Sequence, residues 1–302
     1  MAPGPGPVPT LAAVLPLLSA TGVGRWSEPF QFGFFRNAFV VAVLAGALCG
    51  LIGVFVVLRQ LSYIGHGLSH AIFGGAAAAA LLHLNFLLGA GVWAVGSGLA
   101  VGAVGRRRVV AYDAAIAVVT TAGFAFGVVA KDIDPRAGRG LEALLFGSIL
   151  GVSGGDLAAI AAVGLVSVAV VAVGYRRLLF VSFDPEVAAV SGVRTERVEA
   201  LLLVMLSAVI VVTMKVLGVT LIAAILVVPA ATARLLTNSF STMIWLSMSI
   251  GAVTAASGMY LSYFVDAASG ATIVLVGAAG FVLALAARGR SQRKALRGLH
   301  LH

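Results

Sequence analysis

Long apolar runs dominate this chain and leave it few choices of fold. A bilayer core of roughly 30 Å takes about 20 apolar residues of helix. Stretches of that kind recur at about 38–58, 66–83, 87–105, 109–130, 157–175, 199–214, 216–235, 242–264 and 270–287. In hydrocarbon every backbone N–H and C=O must be satisfied within its own segment or a closed barrel, and runs this long are helical. The expected fold is therefore an all-α polytopic membrane protein with about 8–9 transmembrane helices. Composition agrees, with 61% of the 302 residues hydrophobic and 10% charged, far from a soluble globular domain. The 37 glycines and alanine runs such as Ala76 to Ala80 suit helices that approach closely in lipid.

The segments between and before the spans are more varied. The first 24 residues, "MAPGPGPVPTLAAVLPLLSATGVG", hold an apolar stretch of signal-peptide length without a basic start or a clear cleavage site. They read as a disordered, interfacial N-terminus over residues 1–29 in preference to a cleaved signal. The stretch 141–152, "LEALLFGSILGV", is too short to span and is expected to be re-entrant or interfacial.

A net charge of +9 raises the question of nucleic acid. The arginines, however, lie in short clusters at the ends of apolar runs: Arg59, Arg106 to Arg108, Arg176 with Arg177, Arg194 with Arg197, Arg234, and the tail from Arg288 to Arg297. With alternating spans all of these fall on one side, which the positive-inside rule makes the cytoplasm. No nucleic-acid partner is expected; the bilayer is the partner. The C-terminus, including a basic tail over 289–302, is then cytoplasmic and the N-terminus outside. Cys49, the single cysteine, lies in an apolar run and has no partner for a disulfide within the chain.

One longer cytoplasmic loop runs from Arg177 to Glu199. Within it Asp184, Pro185 and Glu186 read as an N-cap, a proline at the first helical position and an acidic first turn. Gly192 reads as the C-terminal stop. A short, separately capped helix at 184–192 serves either as a connector or as a docking element for a soluble motor.

The stretch "SYIGHGLSHA", residues 62–71, sets His66 and His70 four apart. On a helix that spacing puts both imidazoles on one face, about 6 Å apart along the axis. Polar groups inside a span are costly and usually face a cavity or a partner. A lone histidine would be satisfied by a neighbouring carbonyl, whereas a pair with Ser69 between them favours a site. The spacing also matches the outer positions of the H-E-x-x-H zinc protease motif. Position 67 is Gly67, so the general base is missing and hydrolysis fails. A transient metal site on a transport path remains, and the imidazole pair alone leans weakly to zinc over manganese.

Other polar positions carry less. Asp113 sits in the first turn of a span, where a carboxylate complements the helix dipole. Pro229 is expected to kink its helix or free a carbonyl, structural first and a hinge candidate second. His83 reads as interfacial, Asp266 as solvated, and His300 and His302 as the end of the tail. No G-x-x-x-x-G-K-[ST] occurs, so the chain has no P-loop for nucleotide.

The stretch "FFRNAFVVAVLAGALCGLIGVFVVLRQLSYIGHGLSHAIFGGAAAA", followed in order by "LEALLFGSILGVSGGDL", "FDPEVAAVSGV" and "VLGVTLIAAILVVPAATARLL", resembles the membrane permease of bacterial ABC-type zinc and manganese importers. The resemblance runs from about residue 30 to 287 and implies a permease domain over 30–288 in the bacterial inner membrane. It also implies a second copy of the chain, cytoplasmic ATP-binding ABC subunits that hydrolyse the ATP, and an extracytoplasmic metal-binding protein. The permease itself would not be an enzyme and would hold no tightly bound cofactor; Zn²⁺ or Mn²⁺ would be its cargo. The segment "FDPEVAAVSGV" is similar to the helix that couples such permeases to their ATPase, at Asp184, Pro185, Glu186 and Gly192. The family's span after "LR" usually reads G-D-A-L-S-H, whose Asp and His line the metal path; here His70 keeps the histidine and His66 replaces the aspartate. Two alternatives stand beside this reading: an ABC permease for a siderophore or haem chelate, and a secondary carrier without an ATPase.

Overall fold

A computed structural model describes residues 26–107, 110–133, 152–219 and 221–299. After a 3-10 turn at Glu28–Gln31 come α1 (Gly33–Leu58), α2 (Ser62–Leu81), α3 (Phe86–Arg106), α4 (Tyr112–Ile133), α5 (Gly154–Phe183), α6 (Pro185–Val190), α7 (Thr195–Leu217), α8 (Ile222–Leu236), α9 (Phe240–Val265) and α10 (Ser269–Leu299). Each of the nine expected spans coincides with one of these helices, α6 being the short helix between spans. Seven of them are long and apolar enough to cross a membrane, while α8 is shorter and α2 does not reach that apolarity. The two histidines and the serines of α2 are what lower it.

Several boundaries differ from expectation. The fifth expected span, 157–175, extends to 30 residues in α5, about 45 Å at 1.5 Å per residue. Nothing in "YRRLLFVSF" breaks a helix before Pro185, so Arg176 and Arg177 lie inside α5 rather than in a loop. The sixth span runs on to Leu217 and stops at Gly218, whose φ is +80°; the seventh therefore begins at Ile222, not 216. The basic tail continues α10 to Leu299. The re-entrant segment expected at 141–152 falls outside the described residues except for Val152, as do residues 1–25 of the N-terminus and His300 and His302.

Helix α1 is the centre of the bundle, with 72% of its most apolar window buried, against 17% for α5 at the periphery. It packs most extensively against α9. Gly46 and Gly251 face each other so closely that a Cβ on either would overlap the other's carbonyl. One turn on, the Ser247 hydroxyl donates to the Gly50 carbonyl at 2.7 Å. Small residues four apart give van der Waals contact between backbones, which drives helix association in lipid. At the outer end, Trp26, Phe30, Phe35, Phe39, Tyr260 and Phe264 form one aromatic cluster, with Trp26 stacked on Tyr260 at 6.3 Å. Such belts favour the membrane–water interface.

Candidate metal path and coupling helix

Helix α2 begins at Ser62, a turn earlier than expected, so His66 lies in its second turn and His70 in its third. The ring centroids are 4.5 Å apart with planes inclined at 73°. Two imidazoles on one tetrahedral ion, with metal–nitrogen distances near 2.0–2.1 Å, place their centroids about 5 Å apart. The observed pair is close to that geometry. The Ser69 hydroxyl donates to the His66 carbonyl at 2.8 Å and is thereby turned away from a ligand role. Phe124 of α4 meets His70 edge-on at 5.6 Å, and Tyr63 flanks His66 at 5.7 Å. Both histidines are half-buried. Among the described residues no group of three or more His, Cys, Asp or Glu forms, so one chain offers two of the four or more ligands a divalent ion takes.

The spacing that pairs the histidines also fixes the helix behind them. Gly67 faces α4, where a Cβ would meet Ile116 and Thr120 at 2.8 Å. The residue where a protease would carry its base is thus the residue that lets α2 lie against α4. His83 is exposed at the C-terminal end of α2 with φ +54°, far down the helix from the pair. Asp113 is exposed in the first turn of α4. Pro229 is buried mid-way along α8, which continues unbroken across it.

Helix α6 is six residues long. Its Asp184 carboxylate accepts from the Val187 N–H at 2.9 Å, Pro185 occupies the first turn and Glu186 adds the acidic group there. At the other end the Gly192 N–H bonds the Ala189 carbonyl and the Val193 N–H bonds the Ala188 carbonyl, with Gly192 at φ +83°. That is a Schellman stop, and the left-handed φ is why glycine stands there. Ala188 is buried, whereas Val190 is 91% exposed and Phe183 and Val187 about half exposed. A rigid, capped helix therefore presents apolar side chains outward.

Sequence reasoning missed a second polar cluster. Glu199, at the start of α7, is buried; Tyr112 of α4 donates to its Oε1 at 2.6 Å, while Arg59 and Arg106 approach its Oε2, each at 3.9 Å. One carboxylate thus ties the ends of α1, α3, α4 and α7 together. A lone glutamate at a span boundary, among arginines assigned to one side, was the available signal. A cavity of about 520 Å³, lined among others by Arg59, Tyr112, Ser182 and Pro185, separates this node from α6. Arg288 of α10 donates to the Leu235 carbonyl at 3.0 Å, and Phe240 of α9 meets Phe55 and Phe183. The ends assigned to one side by their arginines do gather at one end of the bundle.

A polytopic helical bundle of this kind is the fold of an ABC transporter permease. The solved structure of PsaBC from Streptococcus pneumoniae in complex with Fab matches with a TM-score of 0.78 at 31% identity, over 87% of this chain and 95% of that one. The chain belongs to the ABC 3 transport family, which it matches over residues 31–288. It is 37% identical over 259 residues to the manganese transport system membrane protein MntC of Halalkalibacterium halodurans, covering 86% of this chain and 89% of that protein. It is 34% identical over 268 residues to the manganese import system permease protein ScaB of Streptococcus parasanguinis, covering 88% and 95%. The chain is accordingly a multi-pass permease of the cell membrane.

Proposed function

We propose that this chain is the permease of an ATP-driven importer of manganese, working by alternating access. The observation that carries the metal path is the adjacent pair His66 and His70, with ring centroids 4.5 Å apart, on a helix otherwise packed through its glycines. Two borderline ligands bind a divalent ion without caging it, and an incomplete shell suits a group that must pass its cargo on. A second copy of the chain, apposed across a two-fold axis, brings the same pair to the other side of the path. An extracytoplasmic metal-binding protein delivers the ion. ATP is hydrolysed by separate cytoplasmic subunits, which dock on α6 through Val187, Val190 and the capped ends at Asp184, Pro185, Glu186 and Gly192. Residues 30–288 form the permease domain, and Pro229 serves as a hinge in α8.

Manganese is favoured by the names of the relatives, against the weak preference of an imidazole pair for zinc. The experiment is uptake of radioactive manganese by cells expressing the whole transporter, with unlabelled manganese, zinc and iron as competitors. Manganese is expected to compete best; stronger competition by zinc would reverse the cargo assignment. Joint replacement of Glu186 and Gly192 is expected to reduce co-purification of the ATPase and to break the link between transport and ATP turnover. Unchanged co-purification and turnover would return α6 to a connector.

A further inference from the structure

A groove of about 480 Å³ lies between α5 and α7 and shares no lining residue with the histidine pair or the Glu199 node. Its walls include Val170, Val173 and Gly174 of α5 and Leu201 of α7, and its rim carries Arg177 and Arg197. No carboxylate lines it. Both arginines are exposed, and among the described residues neither guanidinium has an ion-pair or hydrogen-bond partner. They belong to the two clusters that the positive-inside rule puts at the cytoplasmic surface. From Arg177 back to Val170 the groove follows α5 for about 10 Å at 1.5 Å per residue, so it passes from headgroup level into acyl-chain depth.

We propose that this groove is a binding site for an anionic phospholipid, with the phosphate between Arg177 and Arg197 and the upper acyl chain along Val170, Val173 and Leu201. Two unpaired guanidiniums are matched by one phosphodiester, which each binds through paired N–H donors. The apolar wall below them is matched by the chain: Val173 is 92% exposed and Leu201 40%. Basic pockets between helices on the cytoplasmic side are a recognised form for such sites. A second copy of this chain fits less well, because an isologous contact presents the same patch from both sides, and this patch has no carboxylate to meet the arginines.

The test is native mass spectrometry of the full-length transporter titrated with phosphatidylglycerol or phosphatidylcholine. Phosphatidylglycerol is expected to bind preferentially. The double variant Arg177→Gln, Arg197→Gln should lose about thirty-fold in affinity for it, equivalent to about 2 kcal/mol at 1.4 kcal/mol per decade. Equal binding of the two lipids, or an unchanged double variant, would overturn the site. So would displacement of the lipid by millimolar inorganic phosphate, which would make it a free-anion site. If the double variant does not fold, Val173→Trp fills the groove while keeping both charges; it should weaken phosphatidylglycerol binding, and wild-type binding would again refute the proposal. A Val173→Cys variant, with Cys49 buried, should not cross-link copies in the membrane. Efficient cross-linking would assign the groove to a dimer contact instead.

Discussion

The Glu199 node and the histidine pair are both polar clusters in an apolar bundle, and they are built in opposite ways. Glu199 is closed: a carboxylate buried under one hydroxyl donor and two guanidiniums, joining four helix ends. The histidines are open: half-buried, in contact with each other and with two aromatic rings, and, among the described residues, short of a full ligand set. In low dielectric a charge without partners is costly, so a closed cluster holds structure. An open one keeps coordination sites free for something that comes and goes. On the proposed reading, the same principle separates an anchor from a path.

The comparison can be broken at its closed end first. Glu199→Ala leaves the Tyr112 hydroxyl and the half-buried Arg59 without their shared carboxylate, while Arg106 is exposed; unmet part-buried donors cost about 3 kcal/mol. Thermal unfolding of the purified complex should show a strong loss of stability, with uptake per folded complex nearly unchanged. A stable but inactive variant would move Glu199 from anchor to mechanism. At the open end the reverse is expected: His70→Ala should reduce manganese accumulation about 100-fold while assembly stays at wild-type level. Normal uptake would remove the histidines from the path.

Two milder variants sharpen the contrast. Tyr112→Phe removes one hydrogen bond to a charged acceptor and should lower stability by about 1.5–2 kcal/mol without altering ion competition. His66→Asp restores a carboxylate where the resembling permeases have one. It should shift the ratio of manganese to zinc uptake about tenfold towards manganese, since carboxylates suit manganese better than imidazole does. An unaltered ratio would mean that His66 does not set ion preference.

Much of the fold was legible because lipid allows so little else. The apolar runs placed nine helices, seven of them long and apolar enough to span, and Asp184, Pro185 and Gly192 placed α6, since capping chemistry is local. Helix ends were harder: α5 overran its expected end by eight residues because arginines at a membrane surface do not stop a helix. Left-handed ends at Gln60, His83 and Asp266 carry no glycine to announce them. Of the candidate site, spacing alone predicted the shared face of His66 and His70.

By itself, then, the sequence determined a helical membrane protein, its spans, its short capped helix and the pairing of two imidazoles, because periodicity, bilayer thickness and capping act within a few residues of each other. Only the tertiary structure decided that Glu199 meets Arg59, Arg106 and Tyr112, that Gly46 meets Gly251, and that Arg177 and Arg197 share a groove. Those partners are separated by 20 to 205 positions, and a contact made by packing between helices leaves no mark on the spacing within any one of them.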